Sequence, residues 1–278
     1  MESTDLLRVA LEAARMAAAV HQRHVGRVRQ EDWSNKGSSD FVSFVDREAE
    51  ACIVELIRAN FPDHQILAEE AFSAAPPGAR AHWFDVEYLW LVDPLDGTAN
   101  FLHGYPAYCS SVAVAHRGRL LAGAVVSAPT NEEWCAQAGQ GATRNGQPIK
   151  VSNIEQLESS LIGTGTPFKN LPLLPGYLVQ FETVMRHSSD VRRAGAAALD
   201  LCHVASGYFD GFWELDLYPW DIAAGALMVR EAGGIITRMT TSAAEQEGDN
   251  DLPAERGGVI AGNPMIHQAL RTLLRSVS

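Results

Sequence analysis

Apolar residues recur every three to four positions from Leu6 to Val20, an Ala-rich stripe preceded by the capping side chains Ser3-Thr4-Asp5, and this predicts a first helix. Gly26 to Asp32 is a polar connector, with a short strand as the other reading, and Asn35 to Asp40 reads as a mobile loop. Phe41 to Val45 predicts a short strand ending at Asp46; a helix with Ala49, Ile53, Leu56 and Ile57 on its apolar side then runs to Asn60. Gln65 to Ala68 is a short apolar strand that ends at Glu69-Glu70, and Ala71 to Asp85, with Pro76-Pro77-Gly78, reads as a surface excursion. Leu89 to Val92 reads as a buried strand. Ser110–His116, Leu120–Ser127 and Glu133–Ala138 follow as antiparallel strands, turned by Gly118 and Pro129-Thr130-Asn131, and Gly139 to Ile149 makes a hairpin.

The second half alternates strand and helix. Strands are predicted at Leu161–Gly165, Tyr208–Trp213, Ile235–Thr237 and Gly258–Ala261, with strand or coil at Asp190–Ala194. Helices are predicted at Gly176–Arg186, Ala196–Ser206, Trp220–Ala232 and Pro264–Arg275. This alternation indicates an α/β fold in packed layers. A soft boundary falls near residue 150, between an α+β subdomain (1–150) and an α/β subdomain (151–278), with no linker.

The segment from Trp90 to Phe101 carries the most chemistry. Its strand delivers Asp93, and Pro94, lacking an N–H, is expected to end the sheet ladder. Asp96 then stands where a helix N-cap would sit, with Gly97 and Thr98 opening the next element. Carboxylates want a cation and free helix N–H groups want an anion, so a metal-bound phosphate suits both. Taken alone, a capping Asp96 and a turn-forming Asp93 explain the run equally well.

Other acids change that balance. Asp46, Glu69 with Glu70, and Asp93 with Asp96 end strands or occupy loops, and Asp221 lies in the first turn of a helix after Pro219-Trp220. Solvated loop charges or helix-dipole placement would account for each singly. Their recurrence at the ends of apolar strands suggests one shared site. No His or Cys stands beside them at ligand spacing, which disfavours zinc, and oxygen-only ligands with room for water favour Mg²⁺. His82, His103 and His116 read as surface or packing residues.

Composition narrows the partners. The 278 residues carry 22 basic and 34 acidic side chains, a formal charge of −12, which argues against direct nucleic-acid binding. A phosphorylated substrate remains compatible, because divalent cations reverse the local field. Cys52, Cys109, Cys135 and Cys202 are widely spaced in apolar surroundings and read as buried free thiols. No apolar run is long enough to cross a bilayer, and the acidic Met-Glu-Ser-Thr-Asp start is unlike a signal peptide, so a cytoplasmic location is expected.

Two long motifs now carry a resemblance. Asp93-Pro94-Leu95-Asp96-Gly97-Thr98-Ala99-Asn100-Phe101 and Pro219-Trp220-Asp221-Ile222-Ala223-Ala224-Gly225 resemble, in order, the two signatures of the inositol monophosphatases. Asp46 after Phe41–Val45, and Glu69-Glu70 after Ala68, fall where that family has its other acids; Arg192 to Leu201 is similar to its bacterial branch. The resemblance runs from the N-terminal helix to Asn263-Pro264 and implies a layered αβαβα sandwich of the sugar-phosphatase type. It implies a Mg²⁺-dependent phosphomonoesterase with two or three ions per site, most ligands coming from the first subdomain. Glu69, Asp93 and the Leu95 carbonyl would hold the first ion; Asp93, Asp96 and Asp221 the second; a third would be reached from Glu69 through water. Asp46 and Thr98 resemble the pair that orients the attacking water, with Glu69 also placed in catalysis. Gly97 and Thr98 would cradle phosphate, and Glu214, Ala197 and Asp221 fall at substrate-binding positions. Lys36 matches a lysine near the metals. Lithium inhibition and homodimerisation are implied as well.

Departures from the family pattern are Ala99 for a second threonine, Thr237-Arg238-Met239-Thr240-Thr241 for a T-D-x-x-G run, and a longer Pro76-Pro77 loop. Histidinol phosphate, fructose bisphosphate and adenosine 3′,5′-bisphosphate are the alternative substrates. Bacterial relatives of this kind are also associated with transcription complexes and rRNA antitermination, so a partner there, with a role independent of catalysis, is the reading of another class.

Overall fold

The computed structural model describes residues 2–29, 31, 33–37, 40–42, 44–74, 86–239 and 256–277, with no side-chain description for 2–4, 34–37 and 40–42. Five layers stack in the order helix, sheet, helix, sheet, helix. The outer helices are α1 (Glu2–His24) and α2 (Phe44–Asn60), the latter preceded by the paired short strands β1 (Ser34–Gly37) and β2 (Asp40–Val42). Against them lies a sheet formed by β3 (Gln65–Ala68), β4 (Tyr88–Asp96), β5 (Cys109–His116), β6 (Arg119–Ser127), β7 (Glu132–Gln137), β8 (Gly141–Arg144) and β9 (Gln147–Pro148). The strands follow chain order; β3 and β4 are parallel, and every later pair is antiparallel.

The second sheet runs in the order β11 (Asp190–Arg192), β10 (Leu161–Thr164), β12 (Gly211–Leu217), β14 (Gly257–Gly262), β13 (Ile235–Met239). Between the sheets lie α6 (Ala197–Ala205) and α7 (Pro219–Glu231), while α5 (Leu174–His187) and α8 (Pro264–Arg275) cover the far side. Two short helices, α3 (Glu69–Ala74) and α4 (Thr98–Leu102), follow the ends of β3 and β4. Strand periodicity explains the layering. On β4, Trp90 and Val92 face α1 and α2, whereas Leu89 and Leu91 face the middle layer. On β12, Phe212 faces that middle layer and Trp213 the outer one. The central strands are therefore buried on two faces, and β4, β5 and β6 read as nearly continuous apolar runs.

Several expectations need correction. Asp46 does not end a strand: it sits buried in the first turn of α2, because Val45, Ala49, Ile53 and Ile57 form one buried helical stripe starting before it. Residues 34–37 and Asp40 pair as strand where a loop was expected, and the strand predicted from Phe41 ends at Val42. Pro94 does not end β4. The ladder pairs Asp93 with Ser111 and resumes at Asp96 with Cys109, so a bulge takes in the proline where no N–H is required. Asp96 is the last residue of that strand, and Gly97, at φ 86°, is the cap of α4. The strand predicted at Tyr208–Trp213 lies at Gly211–Leu217, which places Glu214 on β12. Glu69 and Glu70 open α3, and their surface excursion is helical as far as Ala74. Cys109 and Cys202 are buried, but Cys52 and Cys135 are half-buried. Pro76-Pro77, His82 and Thr240-Thr241 lie outside the described residues, as does the side chain of Lys36.

Candidate active site

A cleft opens where the ends of β4 and β12 meet the N-termini of α6 and α7. Glu69, Asp93, Leu95, Asp96, Gly97, Thr98, Ala197, Glu214 and Asp221 all line it. Asp46 is not among its lining residues, and it touches the cleft through Thr98, whose Oγ1 donates toward Asp46 Oδ1 at 3.1 Å. The same hydroxyl lies 3.0 Å from the Leu95 carbonyl.

Local structure fixes each acid. The bulge turns Asp93 inward, and the Leu95 N–H donates to its Oδ1 at 3.0 Å. Asp96 Oδ2 accepts the Ala198 N–H at 2.8 Å, which ties the first sheet to the start of α6. Asp221 is the third residue of α7, and its Oδ2 accepts the Tyr218 N–H at 2.7 Å. Glu50, from α2, accepts the Glu70 and Ala71 N–H groups at 2.7 and 2.9 Å and so holds the α3 start that carries Glu69. Glu214 reaches from β12 toward Gly165; a Cβ there would come within 1.9 Å of the Glu214 Cδ, so a side chain at 165 would displace this carboxylate. Gly97 is constrained twice, by its positive φ and by the Ala107 carbonyl 2.7 Å from where a Cβ would stand.

Burial and charge repulsion together raise the acids of this cleft. Burial, then Glu69, Asp96 and Asp221, push the Asp93 carboxyl well above the usual carboxylate range. Burial raises Asp96 to about 6, opposed by the Ala198 N–H. Asp221 rises to about 8 through burial, Glu69 and Asp96, and Glu214 to about 8 through burial, Asp221 and Asp96. Asp96, Glu214 and Asp221 are half-buried in the cleft yet their carboxylates lie deep among protein atoms, which is why desolvation leads in each case. Such a set calls for bound cations, and its all-oxygen chemistry fits Mg²⁺. Among the described residues no three acidic, His or Cys side chains close into a ready-made cage. An open arrangement suits an ion that keeps water and substrate oxygens in its shell.

Several cleft residues escaped the sequence reading. Lys169 and Arg193 bring positive charge to the rim; Arg193 lies 5.6 Å from the Phe168 ring centroid. Asn100 Nδ2 donates to the carbonyls of Ala107 and Ala194 at 2.6 and 2.9 Å, pinning the segment before α6 against α4. Asp216, at φ 66°, pairs with Arg256 Nε at 3.0 Å, and that guanidinium lies 4.4 Å from the Tyr218 ring centroid. Asp200 is buried with no hydrogen-bond partner for either oxygen among the described residues, and burial pushes it well up. Asn100, Arg193 and Asp200 lay within legible motifs, but no local signal gave them these surroundings.

A five-layered α/β sandwich with an acidic, water-open cleft at its strand ends is the architecture of a metal-dependent phosphatase. The whole-chain comparison makes the class specific: the profile of the inositol monophosphatase family matches residues 2–278, and the chain belongs to that family. It is 40% identical over 272 residues to the Nus factor SuhB of Pseudomonas aeruginosa, covering 97% of this chain and 96% of that protein. It is 39% identical over 275 residues to the inositol-1-monophosphatase of Rhizobium meliloti, covering 99% and 98%. The crystal structure of the extragenic suppressor protein suhB from Bartonella henselae superposes with a TM-score of 0.85 at 38% identity, covering 98% of both chains.

Proposed function

We propose that this phosphatase hydrolyses myo-inositol monophosphate to inositol and inorganic phosphate, with Mg²⁺ as its metal. The convergence of Glu69, Asp93, Asp96 and Asp221 on one cleft carries the reading. The first ion is assigned to Glu69, Asp93 and the Leu95 carbonyl, the second to Asp93, Asp96 and Asp221, and a third to Glu69 through water. When bound, Mg²⁺ supplies Lewis-acid activation of water and stabilisation of the leaving alkoxide. Thr98 can accept a hydrogen bond from the attacking water while donating its own proton toward Asp46, and this relay aligns the nucleophile. The N–H groups of Gly97 and Thr98 cradle the phosphate. Glu214, with Ala197 beside it, recognises the hydroxyls of the leaving alcohol. Water attacks phosphorus directly, since no Cys, Ser or His nucleophile motif accompanies the acids.

A panel assay of released phosphate tests the substrate. Inositol 1-phosphate should turn over faster than histidinol phosphate, fructose bisphosphate or adenosine 3′,5′-bisphosphate; faster turnover of histidinol phosphate overturns the choice. Chelation should abolish activity and Li⁺ should inhibit it. We place the enzyme in the cytoplasm as a homodimer. Among the described residues no helix is long and apolar enough to cross a membrane.

A second reading follows from the relatives named as Nus factors. Under it the chain joins a transcription complex through protein contacts, since a charge of −12 disfavours direct RNA binding. Pull-down with D93N separates the two, because that substitution removes catalysis and leaves a scaffold intact.

A further inference from the structure

His21 lies near the end of α1, fully buried, with its ring 5.9 Å from the Phe101 and Tyr108 ring centroids. Its Nε2 stands 2.9 Å from the Pro94 carbonyl oxygen. A carbonyl can only accept, so Nε2 carries the hydrogen; Nδ1 has no partner among the described residues, as befits a neutral ring. Pro94 sits in the bulge, where the ladder gives its carbonyl no neighbour, and His21 supplies the donor. The Pro94–Leu95 peptide group also carries the Leu95 N–H, which donates to Asp93 Oδ1 at 3.0 Å. One rigid amide plane therefore joins the imidazole to the most buried acid of the cleft. Hydrogen bonds in series polarise one another, and any rotation of that plane disturbs both.

We infer that His21 is a positioning residue which, through the Pro94–Leu95 peptide, sets the rotation of the Asp93 carboxylate for divalent-cation binding. The inference rests on the assignment of Asp93 as a metal ligand. A packing role alone would need only the volume of the ring, which phenylalanine supplies. His21 stands two hydrogen bonds behind the carboxylate; outer partners of a metal ligand typically change metal affinity about 10-fold or more when removed, and the rigid peptide carries that effect here.

Mn²⁺ affinity measured by paramagnetic resonance, melting temperature, and kcat and KM at saturating metal, compared for the unmodified protein, H21F, H21Q and D93N, test this. H21F should bind Mn²⁺ at least about 10-fold more weakly, with KM for phosphate ester changed less than about twofold at saturating metal, and H21Q, which keeps an N–H donor, should recover most of the loss. A lower melting temperature with unchanged Mn²⁺ affinity in H21F, or H21F and H21Q equally impaired, overturns the role. Unchanged Mn²⁺ binding by D93N overturns instead the ligand assignment beneath it. Should H21F not fold, the unmodified protein decides: the His21 Nε2–H proton resonance should shift on Mg²⁺ addition, and no shift at saturation overturns the coupling.

Discussion

Raising the pH of the metal-free protein from 5 to 7 should lower its melting temperature, because Glu214 and Asp221 are both raised to about 8; Asp221 shows the size of the effect. Burial, Glu69 and Asp96 push this carboxyl from 3.8 to about 8. The unfolded chain releases the proton near pH 4, while the folded chain keeps it until about pH 8. Between those values the folded state binds more protons, so stability falls as pH rises; below the window there is no loss, and above it the loss is complete. One group titrating this way costs about 1.4 kcal/mol per pH unit, or about 3 kcal/mol across these two units. An unfolding entropy of about 2.1 cal/mol/K per residue gives about 0.6 kcal/mol/K for a chain of this length, so Asp221 alone lowers the melting temperature by about 5 °C and Glu214 adds a fall of similar size. Asp96, raised to about 6, steepens the first half of the window. Scanning calorimetry in chelator should show that fall, and saturating Mg²⁺ should flatten it by supplying the missing counter-charge. D221N, which keeps an oxygen for the Tyr218 N–H, should lose about 5 °C of the pH dependence in chelator. Parallel pH profiles for D221N and the unmodified chain in chelator would refute the electrostatic account of the cleft.

Thr98→Val removes the hydroxyl that reaches Asp46 and should lower kcat by about 10²- to 10⁴-fold with little change in KM, read by phosphate release. Glu214→Gln should raise KM for inositol 1-phosphate by roughly 10-fold and leave p-nitrophenyl phosphate, which has no polyol hydroxyls, nearly unaffected. Gly97→Ala forces a side chain into φ 86° and against the Ala107 carbonyl. It should destabilise by about 1–3 kcal/mol, a fall of about 2–5 °C in melting temperature.

The strand that carries Asp93 and the helix whose first turn holds Asp221 were legible because periodicity and turn chemistry are local signals. The αβαβα order was legible through the resemblance and in the alternation of strand and helix after residue 160. Pro94 misled for a physical reason: a missing N–H forbids a ladder bond, but a bulge asks for none there. Asp46 misled because a β-branched and aromatic run, Phe41 to Val45, hid the helical stripe that Val45 begins. His21, Asp200 and the Arg256–Asp216 pair were invisible. A single contact between residues 40 or 73 positions apart leaves no period in the sequence.

The middle helices give the chain an order of assembly. Strand β4 and α4 are synthesised well over a hundred residues before α7, which packs on both sheets. Until α7 emerges, Asp93 and Asp96 have neither the covering layer that desolvates them nor Asp221 beside them. In water their mutual repulsion is weak, so the first sheet can form without a cation. Docking of α6 and α7 is the event that concentrates the charge, so the repulsion among the acids is met late in folding, after the first sheet has formed.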